Sequence, residues 1–86
     1  MRERRSIRHA LQTFGNITEL YEVKTYTGYR NGKRVTVQIL DQGMECPNPD
    51  SRFACQVIEE DGKRASGNNA RTTDEAIAIV HWRDLD

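Results

Sequence analysis

Tyr29, Arg30, Lys33 and Arg34 stand within six residues of one another, in the stretch TYTGYRNGKRVTVQI at positions 25–39. An aromatic ring among three cations is equipment for holding a nucleic-acid backbone, because the cations neutralise phosphates and the ring offers a stacking face. Lys and Arg at a hairpin tip also serve a plainer purpose: they keep an exposed strand edge soluble. The whole chain of 86 residues carries 13 basic and 13 acidic side chains, so no net field draws a polyanion toward it. A basic patch without a basic domain is a weak footprint, and nucleic-acid contact through these four residues stands as the alternative reading.

The remaining chemistry-bearing side chains are Cys46, Cys55, His9 and His81. Four such ligands could hold zinc, but the spacing contains neither a close Cys pair nor a close His pair. Cys55 shares strand parity with Phe53 and Val57, which predicts a small buried hydrophobe. Cys46 precedes Pro47 in an irregular stretch, which predicts an accessible thiol. Two cysteines cannot form the disulfide framework of a small secreted domain. The sequence also lacks a nucleophile elbow, a phosphate-binding glycine loop and a His-Glu helix motif. The expectation is therefore a non-enzymatic chain with no catalytic residue, no metal and no cofactor.

The elements that must position these residues follow from periodicity. Ile7, Ala10, Leu11 and Phe14 recur at i, i+3, i+4 and i+7, one face of a helix, with Arg8, His9 and Gln12 opposite. Gly15 followed by Asn16 predicts its end. A helix this short is marginal alone, so its apolar stripe is expected to dock on a sheet. Residues 18–30 and 33–40 are rich in Val, Ile, Thr and Tyr around Asn31-Gly32, a dipeptide suited to a two-residue type I′ turn. That turn pairs Gly28 with Val35, Tyr26 with Val37 and Lys24 with Ile39. It assigns Tyr26, Val35, Val37 and Ile39 to the buried face.

Residues 41–51, DQGMECPNPDS, hold two prolines and a glycine and predict an irregular loop. A second hairpin is expected around Asp61-Gly62, with Glu59 opposite Arg64 and a short second strand forming an edge. TTDEAIAIVHWRDLD then predicts a closing helix, capped by Thr72 or Thr73, with Asp74 and Glu75 at its positive end. Ala76, Ile77, Ile79 and Val80 give it one apolar side. Ala78, Trp82 and Leu85 lie toward the other, and a surface helix needs only one such stripe. Trp82 is expected to pack on the first helix. Leu85 is the stronger candidate for an exposed contact, so Ala78, Trp82 and Leu85 mark a candidate protein-interaction patch.

The resulting order is α-β-β-β-β-α: an α+β domain over residues 1–86, an antiparallel sheet with both helices on one face. The order of elements resembles that of double-stranded-RNA-binding domains. Those domains open their second helix on a lysine-rich run, whereas this chain has NNARTTDEAIA, where Asp74 and Glu75 would repel phosphates. The resemblance implies architecture and not RNA. The stretch NPDSRFACQVIEEDGKRASGNNARTTDEAIAIVHWRDLD also resembles the C-terminal half of small uncharacterised cyanobacterial proteins. It implies a bacterial protein and transfers no site residue. No apolar run approaches membrane-spanning length, so the expected location is cytoplasmic. The expected partner is another protein, with the chain itself a monomer or weak homodimer.

Overall fold

The computed structural model describes residues 2–18, 20–44 and 46–86. Helix α1 (Arg2–Phe14) leads into a four-stranded antiparallel sheet, β1 (Glu22–Arg30), β2 (Lys33–Asp41), β3 (Phe53–Glu59) and β4 (Arg64–Ser66), in the spatial order of the sequence. A six-residue helix α2 (Thr73–Ala78) and a 3₁₀ turn over Trp82–Leu85 close the chain. The α+β class and the order of elements are those the periodicities predict.

Asn31 (φ 53°) and Gly32 (φ 80°) both occupy the left-handed region, the requirement of a type I′ turn. Strand pairing then runs unbroken from Arg30 with Lys33 to Glu22 with Asp41, with Gly28 opposite Val35 and Tyr26 opposite Val37. The predicted register is the observed one. The second hairpin differs by one residue: Ile58, not Glu59, lies opposite Arg64. The turn spans three residues, 60–62, with the Gly62 N–H donating to Glu59 O and Gly62 at φ 96°. This is the bulged three-residue loop, in which the glycine takes the last turn position and not the second of two.

The core lies on one face of the sheet, where Val35, Ile39, Cys55, Val57 and Ala65 meet Ala76 and Val80 from the closing segment. Thr72 caps α2 by accepting the Glu75 N–H at 3.1 Å, and Glu75 Oε1 in turn accepts from the Arg71 N–H. The helix then ends at Ile79, well before the predicted boundary. The chain turns there because the His81 N–H donates to Ser66 O at 3.0 Å, binding it to the end of β4. In one continuous helix, Val80 and Leu85 would point roughly 140° apart. The turn and the 3₁₀ geometry bring both into the same core, and Leu85 is only 3% exposed.

Two further expectations are corrected here. Helix α1 does not bury its stripe on the sheet beside α2: Ile7 is 62% and Phe14 85% exposed. It ends with Asn16, not Gly15, in the left-handed conformation, and the Ile17 N–H donates to Leu11 O. Arg8, on its less exposed side, approaches Gly43 near the Asp41 end of the sheet. The radius of gyration, 14.8 Å, exceeds the roughly 12 Å of a compact chain this long, as befits a helix standing off the sheet. Tyr26 is on the predicted face yet 57% exposed, because α2 is short and covers β3.

Candidate functional site

The cations of the first hairpin face acids from distant parts of the chain. Arg30 donates to Asp86 Oδ1 at 2.8 Å, and its guanidinium lies 5.7 Å from the centre of the Trp82 ring. Lys33 donates to Asp61 Oδ2 at 3.1 Å and has Glu59 Oε1 at 3.8 Å. These carboxylates hold the Lys33 pKa above its ordinary value, the hydrogen bond that Lys33 donates to Asp61 first among the causes. The hydrogen bond from Arg30 lowers that of Asp86. The Arg34 backbone N–H donates to Glu60 Oε1 at 2.7 Å. Tyr29 is exposed, and of the cations beside it Arg30 and Lys33 already have carboxylate partners. At Arg30 and Lys33 phosphates would have to compete with carboxylates already in place.

Glu59 is the buried charge of this cluster. It sits opposite Val35, 3% exposed, and its Oε1 accepts no hydrogen bond. Lys33, 3.8 Å away, lies near enough for attraction without direct bonding, which offsets part of the cost of burying this carboxylate.

The predicted patch of Ala78, Trp82 and Leu85 does not form one surface. Ala78 is exposed, Trp82 half-buried against the core and Leu85 interior. The Trp82 indole N–H donates to Ile77 O at 3.1 Å, and Arg30 rather than α1 is the cation over its ring. The correction has the same cause as the shortened helix: the turn at residues 79–81 rotates Leu85 inward.

Ile77 and Ile79 are exposed in this segment, and most other exposed large apolar side chains lie earlier in the chain. Ile7, Leu11 and Phe14 on α1 and Ile17 and Tyr21 after it are exposed, as are Val23 and Tyr26 on opposite faces of β1. A hollow of about 190 Å³ opens between α1 and the start of β1, lined mainly by Ile7, Leu11, Leu20 and Tyr21. Spacing alone identified the stripe on α1. That it stays open depends on tertiary placement, for which the sequence carries no signal.

Cysteine and histidine do not converge. Cys55 is buried, and burial pushes its thiol pKa up. Cys46 is half-buried, its Sγ 3.2 Å from Gln42 Oε1 and 3.1 Å from Asn48 O. Among the described residues no group of three or more His, Cys, Asp and Glu side chains could hold a metal ion. His81 borders an open polar hollow of about 290 Å³ with Arg64, Ser66, Asn68 and Asp84. Its ring makes no hydrogen bond to them among the described residues. In native protein a small thiol reagent should label Cys46 about a hundredfold faster than Cys55, which needs the fold to open. Mass mapping of labelled peptides reads the ratio, and equal fast labelling would contradict the burial of Cys55.

Nearby, Arg52 grips Asp41 with two bonds, Nε to Oδ1 at 2.7 Å and Nη2 to Oδ2 at 3.1 Å. Asp41 Oδ1 also accepts the Gly43 N–H at 2.7 Å. The Arg52 bond chiefly holds the Asp41 carboxyl below its ordinary pKa. This pairing closes the loop after β2.

Fold and surface together define a small α+β domain: an antiparallel four-strand meander capped on one face, with an amphipathic helix left open at one end. No family model, curated protein or solved structure matches this chain. Among the described residues no helix is long and apolar enough to cross a membrane.

Proposed function

We propose that this chain is a non-enzymatic interaction domain that binds another protein through the apolar face of α1 and the adjoining Tyr21. One observation carries the reading: Ile7, Leu11 and Phe14 are exposed together on a single helical stripe. A helix of 13 residues is marginal in isolation, so a stripe that its own sheet leaves open gains most from a partner's groove. The carboxylates already bound to Arg30 and Lys33 weigh against the nucleic-acid alternative.

The test is a photo-crosslinking amino acid at Phe14, compared with one at Thr36 on the polar face of the sheet, in cells that make the protein. A discrete protein adduct should form from position 14 only and disappear when Ile7 and Leu11 are changed to Asp. Titration with mixed-sequence oligonucleotides should show nothing tighter than about 100 µM at physiological salt, the range of non-specific contact. A nuclease-sensitive adduct, or micromolar oligonucleotide affinity lost on changing Arg30, Lys33 and Arg34 to Ala, would transfer the function to the hairpin. Adducts formed equally from both positions would remove the helix from the argument.

A further inference from the structure

Strand β1 ends the sheet, and its outer edge is nine residues long. The two-residue turn makes Arg30 and Lys33 the first hydrogen-bonded pair, after which bonded and non-bonded pairs alternate. Even-numbered residues of β1 therefore bond to β2, while Val23, Thr25, Thr27 and Tyr29 direct their N–H and C=O groups outward. Among the described residues these groups have no other backbone partner. The strand has no proline, and its pairing with β2 has no bulge. Most edges are guarded by such features.

We propose that β1 pairs antiparallel with β1 of a second copy of this chain, joining two four-stranded sheets into one of eight strands about a two-fold axis at Tyr26. The sequence EVKTYTGYR is self-complementary in the one register that overlaps all nine residues. Glu22 falls opposite Arg30 of the other copy at both ends of the contact, giving two inter-copy ion pairs. Val23 meets Tyr29, Thr25 meets Thr27, and Tyr26 meets itself. Thr25–Thr27 and Val23–Tyr29 are pairs of outward-directed residues, so the same register satisfies the orphan edge groups. The exposed rings of Tyr26 and Tyr29 gain cover there.

Lys24 is the charge within this strand that could guard it. In this register it lies opposite Gly28, where nothing stands within 4 Å of a would-be Cβ. Arg30 already holds Asp86 of its own chain, and its five donors can bond a second carboxylate. The contact uses a strand edge and not the helix face assigned above, so either can fail alone.

Sedimentation equilibrium of the purified full chain over a wide concentration range tests the proposal. The mass should rise toward twice that of the protomer. Thr27→Pro removes an outward N–H from each copy while sparing the bonds to β2, and should weaken association by about tenfold or more at unchanged circular dichroism. Glu22→Arg should weaken it too, and Glu22→Arg with Arg30→Glu should restore it. As a check on register, Tyr26→Cys with Cys46→Ser should form a disulfide-linked dimer under mild oxidation, because the two-fold places that position against itself. Thr25→Cys in the same background should stay unlinked, since it faces Thr27. A constant monomer mass would overturn the proposal. So would a dimer indifferent to Thr27→Pro, or one in which Thr25→Cys links and Tyr26→Cys does not.

Discussion

Gly67→Ala should destabilise the domain by about 2–4 kcal/mol, combining overpacking with the loss of a hydrogen bond. A Cβ on Gly67 would stand 2.5 Å from Ile79 O, 2.9 Å from Ile79 C and 3.2 Å from Val80 Cα. All three are backbone atoms, so no side-chain rotamer can relieve the clash. The crossing segment must move off β4, which stretches the bond from the His81 N–H to Ser66 O and lifts Val80 from the core. For a chain this size each kcal/mol shifts the melting temperature by about 4–8 °C. Thermal unfolding should therefore drop by more than 8 °C. Gly28→Ala is the matched control, because its Cβ enters open space and should cost under about 1 kcal/mol. A Gly67→Ala protein as stable as the parent would mean that the chain does not cross β4 this closely.

Leu85→Ala should cost about 2–4 kcal/mol, the range for truncating a buried leucine. The side chain is interior although only Asp86 follows it in the sequence, and it packs in the cluster containing Val57, Ala65 and Val80. Leu85→Met, which conserves volume, should cost less than about 1.5 kcal/mol. Ala78→Ser, on the exposed side of α2, should change stability by less than about 0.5 kcal/mol. Urea unfolding of the three variants separates the cases. If Leu85→Ala were as mild as Ala78→Ser, Leu85 would belong to the surface.

These two sites show where sequence reasoning stops. The first hairpin was legible to the residue because Asn-Gly demands one turn geometry, and the turn dictates every pair behind it. Asp61-Gly62 looked equivalent, but a glycine can occupy the last place of a three-residue loop as readily as the second of two. That ambiguity shifted β4 by one residue. The closing helix followed a clean apolar pattern as far as Ala78. Its end at Ile79 comes from a bond to Ser66 and a close passage over Gly67, contacts that no local propensity encodes. The surroundings of the candidate residues were illegible for the same reason. Asp86 lies 56 residues from Arg30, and the proximity that pairs them exists only after folding. The stripe on α1 was plain from spacing, whereas its exposure was not.

The strand order has a bearing on how fast this chain reaches its native state. Each strand of the meander pairs with the one before it, and both hairpins close over loops of two or three residues. Little loop-closure entropy is lost before those pairings are rewarded, which favours quick assembly. The side-chain bond of longest reach among the described residues is made by the closing segment, Arg30 with Asp86 across 56 residues, and the same segment is tied to β4 through His81 and Ser66. The sheet can therefore form as a nucleus from neighbours in sequence, with residues 70–86 docking afterwards. Substitutions there, Leu85→Ala among them, should act mainly by speeding unfolding rather than by slowing folding.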